Sequence, residues 1–254
     1  MFALRLALRF LLPFMVTKVL DSLLTVLYPQ ACHNCGGSVE NFELGAACQG
    51  CWQKTCIFTG RETVCHKCSK FLSEKESNFQ TFCHQCDAHF YEQTRAVGLY
   101  ENALQVSVLN LKREPFVCKK LRKVFISAFE NTEFQDADLI IPIPLSKKRL
   151  LERGFNQATV LAKILSDETK IKLDEQSLTR KIHTPMHRAG MDTKARESTV
   201  KNAFEVTRPN LVKDKKILLV DDVFTSGATA SACAKVLKKA GAEKVYVLTL
   251  ARVF

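Results

Sequence analysis

Four CxxC pairs constrain the N-terminal third of this 254-residue chain more than any other feature. They contain eight of its eleven cysteines: Cys32/Cys35, Cys48/Cys51, Cys65/Cys68 and Cys83/Cys86. A CxxC pair directs two thiolates at one metal ion, and a second pair completes a tetrahedral site. Such pairs are typical of metal binding in a reducing compartment rather than of a disulfide framework.

Pairing of successive CxxC pairs gives two sites of four thiolates each, and we predict two zinc ribbons in residues 31–90. Interleaved pairing, iron–sulfur ligation and redox chemistry of the pairs remain alternatives at this point. A closed four-thiolate site has no free position for a substrate, so the predicted zinc is structural. The other three cysteines, Cys56, Cys118 and Cys233, are expected to be packed thiols.

The N-terminal segment is apolar but carries Arg5, Arg9, Lys18 and Asp21. Its uncharged runs are short, such as the eight residues from Phe10 to Thr17, whereas a spanning helix needs about 20. No cleavage site of small residues follows, so a signal peptide is also a poor fit. Apolar residues from Val16 to Leu27 recur at helical spacing, which predicts an amphipathic helix in residues 1–30. This helix either packs on the chain itself or contacts a membrane surface.

A net charge of +11 favours anionic partners, whether phosphates, nucleic acid or acidic lipid. Hydrophobic residues make up 46% of the chain, which is enough for a substantial core and excludes a disordered class. We therefore expect a cytoplasmic protein, with a peripheral position at the inner face of the membrane as the further option.

Strand and helix patterns alternate in residues 91–254. The predicted strands are Ala96–Tyr100, Asp138–Pro144, Ile217–Asp221 and Lys244–Leu250, and the predicted helices are Leu104–Lys112, Val117–Phe129, Gln157–Leu165 and Ser231–Ala240. This alternation indicates an α/β fold with a parallel sheet, in which ligands bind at the carboxyl ends of the strands.

The stretch VDDVFTSGAT, residues 220–229, joins two carboxylates to a loop of small residues before a helix. It contains neither a Rossmann fingerprint nor a Walker A loop. Backbone N–H groups and hydroxyls at a helix N-terminus bind a phosphate monoester. Adjacent carboxylates hold ribose hydroxyls directly or through a hard cation such as Mg²⁺. The pattern therefore predicts a site for a ribose 5-phosphate group.

This stretch resembles the fingerprint of the type I phosphoribosyltransferases, which bind phosphoribosyl pyrophosphate (PRPP), with Ser226 where that family more often has threonine. The resemblance implies a phosphoribosyltransferase fold for residues 91–254 and binding of PRPP with Mg²⁺. It implies that Asp221 and Asp222 orient the ribose and the metal. The loop residues that would hold the 5-phosphate are Thr225, Ser226, Gly227, Ala228 and Thr229.

A second resemblance, to the ComF/GntX family, extends over nearly the whole chain. It is carried by the four CxxC pairs, by Lys112-Arg113, by a strand that ends in Pro-Ile-Pro and by RGFNQ at residues 153–157. The family's association with natural competence implies handling of single-stranded transforming DNA, beside a DNA-uptake helicase as a further partner.

Several cations are candidates for binding pyrophosphate or a nucleic-acid backbone. Lys112 and Arg153 are the candidates for the pyrophosphate side of a catalytic site, with Arg153 and Asn156 held toward the cleft by a turn. Lys147, Lys148 and Arg149 follow the proline-ended strand and would contact either anion, with a solvated basic face as the alternative.

The resemblance fails in one loop, where the chain has Arg188, Met191 and Thr199 in place of a glutamine, a leucine and an asparagine, and keeps Arg196. PRPP binding is therefore better supported by the sequence than turnover is. We expect a PRPP-binding competence protein that handles single-stranded DNA. The alternative is an active phosphoribosyltransferase with an unidentified nucleobase or amine acceptor.

Overall fold

A computed structural model of the chain describes residues 29–60, 62–73, 79–181 and 202–253. The predicted N-terminal helix from Val16 to Leu27 lies outside these ranges, as do Arg188, Met191, Arg196 and Thr199. Within the described ranges, no helix has the length and apolar character that crossing a membrane requires.

Five parallel strands form the central sheet. They are β3 (Gln93–Leu99), β4 (Leu139–Pro142), β5 (Lys172–Leu173), β8 (Lys216–Phe224) and β9 (Lys244–Arg252). Their order across the sheet is β3-β9-β8-β4-β5, and every neighbouring pair is parallel. The central strand β8 begins with the apolar run Ile217–Val220, which is completely buried because both faces of a parallel sheet are covered. The predicted α/β fold is confirmed.

Two short antiparallel pairs lie outside this sheet. They are β1 (Thr63–Val64) with β2 (Phe71–Ser73), and β6 (Leu178–Arg180) with β7 (Phe204–Val206). The helices of the described residues are α1 (Gln49–Lys54), α2 (Asn102–Leu111), α3 (Lys119–Glu130), α4 (Lys147–Arg153), α5 (Gln157–Thr169), α6 (Pro209–Val212) and α7 (Ala228–Lys239). Helices α2, α3 and α5 pack on one face of the sheet, and α6 and α7 pack on the other.

The boundaries of two elements differ from prediction at the end of β8. This strand extends to Phe224, three residues past its predicted end, because it stays paired with β9 through the acids. Helix α7 begins at Ala228 rather than at Ser231, because Gly227 adopts the left-handed conformation (φ 82°) that turns the chain into the helix. Only three residues therefore separate the strand from the helix.

The basic stretch after β4 is helical, and Gly154 ends this helix, α4, in a left-handed conformation (φ 78°). Asn156 does not point into a cleft as predicted. Its Oδ1 accepts a hydrogen bond from the N–H of Ala158 at 3.1 Å, and its Nδ2 donates to the carbonyl of Ile143 at 3.0 Å. Asn156 therefore acts as the N-terminal cap of α5 and ties this helix to the end of β4.

The two cysteine-rich halves of the N-terminal region pack on opposite faces of the sheet. Cys32, Cys51 and Trp52 belong to the hydrophobic core that contains α2 and α3. Cys65 and Cys86 belong to the core that contains α7. Each half therefore shares a core with the sheet.

The segment between these halves covers the edge strand β3. The N–H of Phe58 donates to the carbonyl of Val97 at 2.8 Å, and the N–H of Leu99 donates to the carbonyl of Cys56 at 3.0 Å. Gly98 permits this approach, because a Cβ atom there would lie 2.1 Å from the oxygen of Cys56. An exposed edge that would otherwise pair with another chain is thus partly closed.

Gly98→Ala is expected to lower the free energy of unfolding by about 1–3 kcal/mol, because the added methyl group forces β3 and the 56–58 segment apart. Gly50→Ala in α1 is the control, since a Cβ there meets no atom within 4 Å and alanine favours a helix. Chemical denaturation of both variants measures the difference. Equal stability of Gly98→Ala and the wild-type protein would contradict the close contact.

Candidate functional site

The eight paired cysteines form two clusters of four, one from Cys32 to Cys51 and one from Cys65 to Cys86. The closest sulfur pairs are Cys32–Cys51 at 3.7 Å, Cys35–Cys48 at 3.6 Å, Cys65–Cys86 at 3.7 Å and Cys68–Cys83 at 3.4 Å. A tetrahedral zinc ion with Zn–S bonds of about 2.3 Å places its sulfurs about 3.8 Å apart. The geometry fits zinc, and the predicted pairing of successive CxxC pairs is confirmed.

Backbone donors prepare one thiol of each cluster for metal binding. The N–H of Cys48 donates to Cys32 Sγ at 3.3 Å, and the N–H of Cys83 donates to Cys65 Sγ at 3.3 Å. Burial raises the pKa of Cys32, but the N–H of Cys48 and other N–H donors outweigh the effect of burial and lower the pKa to about 6. The same balance lowers the pKa of Cys65 to about 7. Each cluster supplies four thiolates, so the zinc sites are structural.

The two acids of the predicted site lie in the last four residues of β8, at the carboxyl edge of the sheet. The N–H of Asp222 donates to Asp221 Oδ1 at 2.9 Å, and the N–H of Val223 donates to Asp222 Oδ1 at 2.9 Å. Lys112 Nζ lies 3.1 Å from Asp222 Oδ2, and the Asp222 side chain is only 8% exposed. Lys112, which follows α2, thus lies beside Asp222.

Burial and then the charge on Asp222 raise the pKa of the Asp221 carboxyl well above its ordinary value, although Lys112 opposes the shift. Two carboxylates in sequence at a strand end repel each other, and burial weakens the solvent screening between them. The Asp221 carboxyl therefore resists losing its proton, and a bound cation would favour its ionised form.

A hollow beside Asp221 is lined by the loop that joins β8 to α7. Its wall includes Thr225, Gly227 and Thr229. Of the other predicted phosphate-binding residues, Ser226 accepts a hydrogen bond from the N–H of Ala228 at 3.4 Å, and neither of these two lines the hollow. The hollow faces the N-terminus of a 12-residue helix, where N–H groups without helical partners attract an anion.

Arg153, the fourth predicted catalytic residue, lies at the end of α4 and donates to Gln157 Oε1 at 2.8 Å. Burial and then the charge of Arg153 lower the pKa of Arg149. Burial and then the charge of Arg149 lower the pKa of Arg180, while Cys233 and then Asp221 oppose the shift. Arg149 and Arg180 thus add positive charge to the region of Arg153 and Asp221.

Arg180 is a site residue that sequence reasoning missed. It ends β6, and its guanidinium lies 5.1 Å from the centre of the Phe204 ring on β7. A single arginine in a three-residue strand matches no motif. Only the pairing of β6 with β7 brings it to the site, and 23 residues separate these strands in the sequence.

Asp221→Asn is expected to raise the midpoint of thermal unfolding at pH 7 by about 2–4 °C. The raised pKa means that folded Asp221 keeps its proton where the unfolded chain loses it, so stability falls as pH rises above the ordinary carboxyl pKa. Asparagine removes this loss, and the gain should shrink toward pH 4.

Asp222→Asn is the comparison: it also removes a charge that raises the pKa of Asp221, but it leaves Lys112 without its partner at 3.1 Å, so its gain should be smaller. Thermal unfolding followed by circular dichroism at both pH values tests the pair. The raised pKa is wrong if Asp221→Asn is no more stable than the wild-type protein at pH 7.

Two family models match the chain. A double zinc ribbon domain matches residues 23–92, and a phosphoribosyl transferase domain matches residues 150–253. The first model covers both cysteine clusters, and the second covers the two acids and the loop that follows them. The clusters and the strand-end site thus belong to two known kinds of domain.

Three relatives are similar over half of the chain or more. Competence protein F of Haemophilus influenzae is 27% identical over 230 residues, which are 87% of this chain and 96% of the relative. Competence protein ComFC of Bacillus subtilis is 26% identical over 225 residues, 79% of this chain and 89% of the relative. DNA utilization protein YhgH of Escherichia coli O6:H1 is 34% identical over 127 residues, 50% of this chain and 55% of the relative. The protein therefore belongs to the ComF family, with a double zinc ribbon followed by a phosphoribosyltransferase fold.

Proposed function

We propose that residues 91–254 bind PRPP with Mg²⁺, and that residues 31–90 form the structural zinc domain. The observation that carries this proposal is the junction of Asp221 with the hollow in front of α7. The loop side of this hollow suits a phosphate monoester, and Asp221 offers a carboxylate for ribose hydroxyls or a hard cation. A ribose 5-phosphate group requires both kinds of partner.

Each remaining group of PRPP has candidate partners in the chain. Asp221 and Asp222 would hold Mg²⁺, which when bound neutralises charge on the diphosphate. Lys112 lies beside Asp222, and Arg149, Arg153 and Arg180 supply further positive charge. These residues are the proposed contacts of the pyrophosphate.

The proposed biological role is to handle single-stranded DNA during its uptake in natural competence. Two relatives are named competence proteins, and a third is named for DNA utilization. The +11 charge and the exposed Lys147 and Lys148 on α4 favour a polyanionic partner. We propose that this role is performed in the cytoplasm and that an uptake helicase is a partner. Peripheral contact with the membrane is a further part of the proposal.

The second candidate function is phosphoribosyl transfer to a nucleobase or an amine. The cations around Asp221 favour it, because loss of pyrophosphate from PRPP leaves negative charge that positioned cations stabilise. The C1–O bond to pyrophosphate breaks, the pyrophosphate keeps the bonding electrons, and the acceptor nitrogen bonds to C1 and releases its proton to the solvent. PRPP binding is common to both functions, whereas pyrophosphate release is specific to this one.

Calorimetric titration of the full chain with PRPP and Mg²⁺ tests the shared step. We expect binding by the wild-type protein and at least a tenfold weaker affinity for Asp221→Asn/Asp222→Asn, which removes both carboxylates. Glu175→Gln, at a glutamate that pairs with Lys163 outside the site, is the control. Equal affinity of the double variant would refute the assignment of the acids. In the same samples, pyrophosphate released with a supplied acceptor would favour the enzymatic function.

The DNA-handling role predicts that affinity for a single-stranded oligonucleotide falls steeply with salt, as binding to phosphates requires. Lys147→Ala/Lys148→Ala should reduce the slope of log K against log salt by about 1.4, at about 0.7 for each phosphate that is no longer neutralised. Lys119→Ala/Lys163→Ala carries the same charge change at lysines paired with glutamates and should leave the slope nearly unchanged. Binding that does not respond to salt would exclude this mode of recognition.

A further inference from the structure

The phosphate loop, residues 225–229, rests on an aromatic group on its inner side. A Cβ atom at Gly227 would lie 2.6 Å from Phe224 Cζ, 2.9 Å from His89 Cε1 and 2.9 Å from the Tyr91 hydroxyl. These contacts fill the space behind the loop, so Gly227 has no room to move inward. Two of the three contacting residues come from the segment that follows the second cysteine cluster.

Contacts among these side chains form a small packed unit, which we call the aromatic wedge: His89, Tyr91 and Phe224. His89 Nδ1 and the Tyr91 hydroxyl lie 2.5 Å apart. The Tyr91 ring meets the Phe224 ring edge-on, with centroids 6.0 Å apart, and Tyr91 is only 2% exposed. Edge-on aromatic pairs are favourable beyond the area that they bury, so the wedge is rigid.

Hydrogen bonds to backbone carbonyl groups join the wedge to the second zinc ribbon. The N–H of His89 donates to the carbonyl of Cys86 at 3.1 Å, and Lys67 Nζ donates to the carbonyl of His89 at 2.9 Å. Arg252 Nη1 donates to the carbonyl of Cys68 at 2.5 Å, and its guanidinium lies 4.8 Å from the centre of the Phe224 ring. The second ribbon thus contacts the wedge from both of its CxxC pairs.

The first ribbon contacts a different part of the site. The N–H of Ala103 in α2 donates to Thr55 Oγ1 at 3.0 Å. A Cβ atom at Gly45 would lie 2.8 Å from Cys118 Sγ, at the start of α3. These contacts support α2 and α3, between which Lys112 lies. The first ribbon therefore supports the segment that carries Lys112, and the second supports the phosphate loop.

We propose that Tyr91 is a positioning residue for the phosphate loop and that it sets the affinity for the 5-phosphate group. This inference rests on the proposed binding of PRPP. The left-handed Gly227 aims the loop N–H groups at the hollow, and the wedge keeps it in place before ligand arrives. A loop held in its bound conformation loses less conformational entropy on binding than a mobile one. Loss of the Tyr91 ring should therefore weaken binding through the loop, without loss of a direct contact with the ligand.

Ribose 5-phosphate is the probe, because it requires the loop and the acids but has no pyrophosphate for Lys112 to bind. Titration of the zinc-loaded full chain should show at least a tenfold loss of affinity for Tyr91→Leu. Tyr91→Phe keeps the ring on Phe224 but removes the hydroxyl behind Gly227, so its affinity should lie between those of Tyr91→Leu and the wild-type protein. His89→Ala, which leaves the Tyr91 ring in place on Phe224, should give an intermediate loss and serves if Tyr91→Leu does not fold.

Phe125→Leu separates positioning from general destabilisation. Phe125 is completely buried in α3, in the core on the other face of the sheet. This variant should lower the unfolding midpoint but leave the affinity for ribose 5-phosphate unchanged. Wild-type affinity in both Tyr91→Leu and His89→Ala, or an equal loss in Phe125→Leu, would overturn the proposal.

Failure of the proposed function is visible separately in the wild-type protein. If that protein binds neither ribose 5-phosphate nor PRPP, both proposals are wrong, whatever the variants do. If it binds both ligands and the wedge variants bind them equally well, only the role of Tyr91 is wrong.

Discussion

The repulsion between Asp221 and Asp222 is the constraint on which the site depends. The two carboxylates lie at the end of the central strand, where burial weakens screening, and Lys112 balances only one of them directly. The strand keeps its course through the acids because β9 stays paired with it to Phe224, while β4 pairs with it as far as Val220. The sheet therefore maintains a charge arrangement that an isolated strand would lose, and its packing is as important to the site as the acids are.

The zinc ribbons extend this support to the segments around the acids. They are integrated into the two cores, one on each face of the sheet, rather than attached to the fold by a linker. Each cluster of four cysteines has no free position for a substrate, so its contribution is mechanical. A tetrahedral metal site fixes four backbone positions at once. The neighbouring segments, at Thr55 and at His89, can then serve as fixed supports for α2 and for the phosphate loop.

Local patterns were predictable, and long-range packing was not. The spacing of the CxxC pairs within residues 32–86 was sufficient to predict the two clusters, since the two cysteines of a CxxC pair can bind one metal ion. The alternation of strands and helices was sufficient to predict the parallel sheet. The end of β8 was placed too early because acids rarely continue a strand, and here β9 pairs with them. Arg180 and the wedge residue Tyr91 have no local signal, because their roles arise from contacts between distant segments. The roles assigned to the acids and to the loop stay predictions.

The balance of charges also connects stability with ligand binding. A cation at Asp221 would counter the burial and the charge of Asp222 that raise its pKa, and an anion at the N-terminus of α7 would meet N–H groups without helical partners. A ligand that carries both therefore gains energy from charges already held in place. Since a ligand that binds only the folded state stabilises it, occupancy would reinforce the same contacts among β8, Gly227 and Tyr91 that prepare the site. The second ribbon and the ligand thus act on the phosphate loop from opposite sides.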